Sequence, residues 1–250
     1  MAIPNPLVVL PVDALGPALD LGPHEHVAVV GGGGKTTLAH ALVRYLSANP
    51  SGRRCVLTTT TKMGCDQDSG LPVLIAPDDV TIAAIDRPTV VWGAIDEPVA
   101  LGVDPNTCDR WFGHLDHLVV EADGARRRPF KAPADHEPVV GSTATLAVSV
   151  IGVDALGVVI DDGCHRPHLV AELGGCRTHD VLTPQRAARV LLAPKGNRRA
   201  VPPEARFVVV VTKVSPDRED IAQELAAAVA AMGAEGDAQD VVPLFAVALS

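Results

Sequence analysis

Aromatic residues are scarce in this chain, at 3% of 250 residues. Base-stacking platforms of the kind that grip single-stranded nucleic acid are therefore not expected. Basic charge is also short, with 21 Lys and Arg against 30 Asp and Glu and a net charge of −9. A nucleic-acid or anionic-membrane partner would reward a basic face, so neither is expected. No apolar run reaches the roughly 18 to 20 residues that span a bilayer. The opening MAIPNPLVVLPVDALGP has no basic leader and is broken by prolines, unlike a signal peptide. Cys55, Cys65, Cys108, Cys164 and Cys176 form an odd set without a C-x-x-C pair, which argues against a disulfide framework. A cytoplasmic protein is expected.

What is present is a 47% apolar chain, long enough for one α/β domain. Short apolar runs (HVAVV, RRCVLTTTT, LPVLI, TVVWGAI, LDHLVVEADG, ATLAVSVIGVDALG, RFVVVVTKV and VVPLFAVAL) read as strands. Between them, TTLAHALVRYLSA places Leu38, Leu42 and Leu46 at helical spacing. TPQRAARVLLA opens as a helix at Thr183-Pro184, and DREDIAQELAAAVAAMG is a helix stopping at Gly233. Strands alternating with helices predict an α/β fold of the P-loop NTPase type, a mostly parallel sheet with helices on both faces. A single domain over 1–250 is expected, with 129–203 as an inserted or appended substrate or partner region. The proline-rich segment 126–138 reads as an exposed loop, a place for a lid or partner contact, and His24 and His26 as surface residues.

The segment VAVVGGGGKTTLAHALVRYL carries the strongest chemistry. A strand leads into Gly31, Gly32, Gly33 and Gly34, followed by Lys35, Thr36 and Thr37 at a helix start. Backbone amides and a helix N-terminus facing one point bind an anion. Lys35 would neutralise terminal phosphates and the Thr36 hydroxyl would ligate Mg²⁺. The usual G-x-x-x-x-G-K-[ST] pattern has a glycine where this chain has Val29, so the bend is shortened to G-x-x-G-K-T-T. Shorter loops of this form resemble those of the Mur-ligase group of ATP-using enzymes.

A phosphate loop needs an acid at the end of a neighbouring strand, and HLVVEADGA supplies Glu121, Asp123 and Gly124. Read as E-x-x-G, it resembles the γ-phosphate-sensing turn of GTPases that insert nickel into hydrogenase and urease; a plain surface turn has the same composition. The threonines at 58–61, with Lys62, end a strand where doubly wound folds bind ligands, or simply finish that strand. Thr212-Lys213-Val214-Ser215 stands where guanine-specific proteins carry N-K-x-D, with Ser215 in place of the Asp and Asp217 two positions late. ATP and GTP both stay open. Arg126, Arg127, Arg128 and Lys131 form a basic cluster next to the acid, suited to transferring phosphate or to an anionic substrate, or else a solvated turn. Cys164, His165, His168, Cys176 and His179 offer C-H-x2-H-x7-C-x2-H, which matches no standard structural-zinc pattern and leaves metal binding open.

GGGGKTT, TTTTK, EADGARRRPFKAPADHEPVV, HRP, LTPQ and VTKV occur in this order. Taken together they resemble the YqeC family of selenium-dependent molybdenum hydroxylase accessory proteins, from about Val27 to Val214. The resemblance implies a Mg²⁺-dependent nucleotide-binding protein, an NTPase, that assists maturation of a molybdenum hydroxylase or its cofactor. In that reading the bend glycines and Lys35 hold ATP or GTP, Thr36 and Asp123 hold Mg²⁺, and Glu121 orients the nucleophile. Gly124, Thr212 and Lys213 contact the nucleotide. Thr59, Thr60, Lys62, Arg126, Lys131, His136, Glu137, His165 and Arg166 face a substrate or partner. A small-molecule kinase, a Mur-like ligase, and a non-hydrolysing module that binds a nucleotide or the molybdenum cofactor are the rival readings.

Overall fold

The apolar runs become strands because they are buried on both faces. In the computed structural model, which describes residues 7–48, 52–234 and 242–249, the elements follow in chain order. The first half holds β1 (Val9–Pro11), α1 (Leu15–Ala18), β2 (Glu25–Gly31), α2 (Lys35–Ser47), β3 (Cys55–Thr59), β4 (Lys62–Gly64), β5 (Val73–Ile75), α3 (Asp79–Ala83), β6 (Thr89–Trp92), β7 (Ala94–Asp96), β8 (Val99–Leu101) and α4 (Pro105–Phe112). The second half holds β9 (His117–Glu121), β10 (Phe130–Lys131), β11 (Leu146–Gly152), α5 (Ile160–Gly163), β12 (Cys164–His165), α6 (Pro167–Gly174), α7 (Pro184–Leu192), β13 (Arg206–Thr212), α8 (Glu219–Ala234) and β14 (Leu244–Ala248). Nine strands form one sheet in the order β1-β14-β13-β11-β2-β9-β3-β6-β5. Every pairing in it is parallel.

Side-chain alternation sends neighbours to opposite faces. Val208 and Val210 pack with α1 and α2, whereas Val209 and Val211 pack with α6, α7 and α8. Val119 joins the α2 side, and Leu118 and Val120 join Trp111 and Phe112 of α4. Helices thus cover both faces of a parallel sheet. Residues within 129–203 share one core with β11, β13 and α8, through Phe130, Ile160, Val170 and Leu191. Because all nine strands run the same way, β2, β3, β9, β11 and β13 end on one edge. From β2 the chain crosses by α2 to β3, with β9 between them, and β11 lies on the other side of β2. Such reversals leave a crevice at the carboxyl edge.

Several local expectations change. TVVWGAI is not one strand: it breaks at Gly93 between β6 of the main sheet and β7 of a small antiparallel sheet, β4-β8-β7. A Cβ on Gly93 would meet the Gly102 carbonyl at 2.4 Å, so the chain needs glycine for this approach. α8 runs one residue past Gly233. Of VVPLFAVAL, only Leu244–Ala248 is strand, and Val241 lies outside the described residues. His24 is exposed, but His26 is fully buried, its Nδ1 2.8 Å from Thr143 Oγ1, and burial lowers its pKa to about 4. The segment 126–138 is exposed only in part: Arg126, Arg127, Arg128, Asp135 and His136 are exposed, whereas Phe130, Lys131, Ala132, Pro133, Glu137 and Pro138 are buried. The polar members can be buried because they are paired. Among the described residues, no helix is long and apolar enough to cross a membrane.

Leu118 is fully buried in β9 between β2 and β3. Leu118→Ala is expected to destabilise the fold by about 2–5 kcal/mol, read as a lower urea midpoint; an unchanged midpoint would contradict this packing.

Candidate phosphate-binding site

The glycine bend begins where β2 ends. Gly31, Gly33 and Gly34 have φ of +96°, +77° and +104°, a region that side-chain-bearing residues rarely adopt. Gly32 is required by proximity instead, since a Cβ there would stand 2.7 Å from the Arg128 carbonyl. The bend is clamped from three sides. Gly31 N donates to Asp123 Oδ2 at 2.9 Å, Gly32 N to the Val150 carbonyl at 2.9 Å, and Gly33 N to the Arg128 carbonyl at 3.2 Å. The Thr212 hydroxyl donates to the Gly33 carbonyl. The next amides, of Gly34, Lys35, Thr36 and Thr37, donate to no protein acceptor among the described residues, and α2 has no capping side chain. Four unsatisfied N–H groups at the positive end of a helix form an anion site.

Two acids approach this point from the end of β9. Asp123 is 3% exposed; its Oδ1 lies 3.2 Å from Lys35 Nζ, and its Oδ2 lies 3.2 Å from Lys131 Nζ. Lys35 also donates to the Gly31 carbonyl at 2.8 Å. Glu121 is buried, and its Oε1, like Asp123 Oδ1, has no hydrogen-bond partner among the described residues. Burial pushes its carboxyl above the ordinary range; Lys35 and the Thr36 side chain draw it back in part, and Asp123 raises it further. Thr36 therefore faces Glu121, whereas Asp123 is already held by an amide and two lysines. The donor set fits a hard cation, with a hydroxyl beside a buried carboxylate whose one oxygen is unsatisfied.

Behind Asp123 runs a chain of buried charge. Lys131, fully buried, donates to the Gly124 carbonyl at 2.7 Å and to Glu137 Oε2 at 2.5 Å. Arg166 holds Glu137 with two nitrogens, at 2.5 and 3.2 Å. Burial would raise the Glu137 carboxyl, but Arg166 and Lys131 bring it down to about 2. β10 and β12 pair in parallel with Lys131 opposite His165. Burial, then Arg166, Lys131 and Arg126, lower His165 to about 4.

The remaining expected residues lie in varied places. Thr59 and Thr60 give their hydroxyl protons to the carbonyls of Glu121 and Val139, so they lock strand ends rather than face a ligand. Lys62 and His136 are exposed. Thr212 serves the loop, while Lys213 points away to Asp154 at 2.8 Å. Gly124 gives its carbonyl to Lys131. Arg126 and Arg127 are exposed, and the Arg128 side chain binds the Asp162 carbonyl. Lys131 and Glu137, expected at a substrate surface, are internal partners. The Cys/His pattern does not assemble: Cys164 is buried, α6 carries His168 out to solvent, and no three such ligands converge among the described residues. What the sequence hid was the set of carbonyl clamps from Val150 and Arg128, which have no side-chain signature.

An open cleft of about 650 Å³ lies elsewhere, at the ends of β5 and β6, and none of its lining residues belongs to the loop. Its acids are already engaged: Asp78 and Asp104 cap α3 and α4, and Asp79 takes Arg110 and Trp111. The chemistry therefore favours the loop over this cleft.

A glycine bend between a buried strand and a helix, at the carboxyl edge of a parallel sheet, defines a phosphate-loop type of α/β protein. The sequence model of the YqeC protein family matches residues 27–168. The chain is also 31% identical over 224 residues to the uncharacterized protein YqeC of Escherichia coli (strain K12), covering 85% of this chain and 86% of that one. The chain belongs to the YqeC family.

The ionised form of Glu137 stabilises the fold above its ordinary value of 4.5, and that stabilisation is lost as pH falls through about 2. Glu137→Gln should be less stable than wild type at pH 7, with the two urea midpoints converging as pH falls from about 5 towards 2. Parallel curves over that window would contradict the assignment.

Proposed function

We propose that the protein is a Mg²⁺-dependent nucleotide-binding protein, an NTPase that assists maturation of a molybdenum hydroxylase or its cofactor. The observation that carries the nucleotide part is the run of four free amides at the start of α2, with Lys35 buried beside them. The bend glycines are held open by Asp123, Val150, Arg128 and Thr212, so the amides need no rearrangement to receive phosphate oxygens. Lys35 exchanges the Gly31 carbonyl and Asp123 for the terminal phosphates. Thr36 and Glu121 would hold Mg²⁺, rather than Thr36 and Asp123, because Asp123 is already taken by Lys35, Lys131 and the Gly31 amide, whereas Glu121 makes no ion pair among the described residues. Bound there, the ion would neutralise charge on the phosphates. Glu121, kept in a dry setting, suits orienting a nucleophile. The maturation role follows from the family resemblance, and an acidic surface suits docking onto a basic client. The five cysteines are free thiols, in keeping with a reducing cytoplasm.

Isothermal titration with ATP and with GTP, with and without Mg²⁺, tests this reading. Micromolar binding of one nucleotide is expected, weakened at least about tenfold by Lys35→Ala. Glu121→Gln should keep nucleotide binding but lose its Mg²⁺ dependence and phosphate release. Phosphate release only with a small acceptor would make it a kinase or ligase. No binding of either nucleotide would sink the NTPase reading in favour of a module for another phosphate, such as that of the molybdenum cofactor.

A further inference from the structure

Two lysines share one carboxylate at this site, and they are not equivalent. Lys35 Nζ has two partners, the Gly31 carbonyl and Asp123, and stands beside the free amides of α2. Lys131 Nζ has three, hydrogen bonds to Glu137 and the Gly124 carbonyl and an ion pair with Asp123. Lys131 is also fully buried and fixed in β10, and its partner Glu137 is gripped by Arg166 at the head of α6. One of the two cations is free to move and the other is not.

We infer that Lys131 is a positioning residue that keeps Asp123 charged and in place on the Gly31 amide after Lys35 leaves for a bound phosphate. The inference rests on the phosphate reading of the loop. A phosphate at the amides of residues 34–37 competes for the same Lys35 ammonium that Asp123 now holds. Asp123 is 3% exposed, so without Lys131 the departure of Lys35 would leave an uncompensated buried charge. It would also loosen the carboxylate that accepts Gly31 N and so sets the entry to the bend. With Lys131 fixed behind it, Asp123 keeps a cation in both states, and Lys35 moves at little cost. Arg166–Glu137–Lys131 is then a rigid arm reaching from α6 to the loop.

Lys131→Gln separates this role from a structural one. In the empty protein Asp123 keeps Lys35 and Gly31 N, and Glu137 keeps Arg166, so no carboxylate is orphaned. The variant should therefore fold, with a melting temperature near that of wild type, yet bind Mg-ATP or Mg-GTP about 10- to 100-fold more weakly. Adding Asp123→Asn removes the charge that needs a cation while keeping an oxygen for Gly31 N, and should restore most of the affinity. Wild-type affinity in Lys131→Gln would overturn the inference alone, as would a loss that Asp123→Asn does not relieve. Should Lys131→Gln fail to fold, the double variant still decides: it should bind within about threefold of wild type, and a larger loss overturns the inference. A wild-type protein that binds no nucleotide overturns instead the nucleotide reading on which the inference rests.

Discussion

The Asp123 carboxylate is the point on which the site depends. One oxygen accepts the amide of Gly31 and faces Lys131, and the other faces Lys35. It therefore ties together the end of β2, the head of α2 and the segment that follows β9. A buried ion pair is weak evidence for stability, because desolvation offsets much of the attraction. A chain of five charged groups, Lys35, Asp123, Lys131, Glu137 and Arg166, is better explained by position than by stability. It fixes where an ammonium and a helix N-terminus stand relative to each other.

The glycine missing from the usual loop pattern has a simple structural account. Val29 is a strand residue, paired with Val148 on one side and Glu121 on the other, and its side chain lies in the core beneath α2. β2 continues to Gly31, so the bend starts later and is shorter by the residues the strand has taken. The bend then has no slack of its own. Its first amides are spent on anchors, Asp123, Val150 and Arg128, and only those from Gly34 onward are left for an anion. A short loop of this kind depends on its neighbours for shape, which is why residues far along the chain pack against it.

The architecture was legible because parallel strands buried on both faces leave continuous apolar runs, and β2, β9, β11 and β13 are such runs. Short elements were not. α4 and α6 are only eight residues long and are started by Pro105 and Pro167, and β10 and β12 are too short to show a period. The glycines, Lys35, Glu121 and Asp123 could be picked out by type and order. Their division of labour could not, because it depends on which acid meets Thr36. The misreading of 126–138 has the same origin. Arginines and prolines suggest an exposed loop, and only three-dimensional pairing of Lys131, Glu137 and Arg166 allows that composition to be buried.

Charge is distributed in a way that the net value conceals. The chain carries −9 overall, yet Lys35, Lys131 and Arg166 gather around two internal carboxylates, Asp123 and Glu137. In the proposed reading, a phosphate at the start of α2 would meet these cations and the helix N-terminus in an otherwise acidic protein. Such focusing selects by charge before any contact is made. If the loop holds a phosphate, its local cations would favour that ligand there over the acidic remainder of the chain.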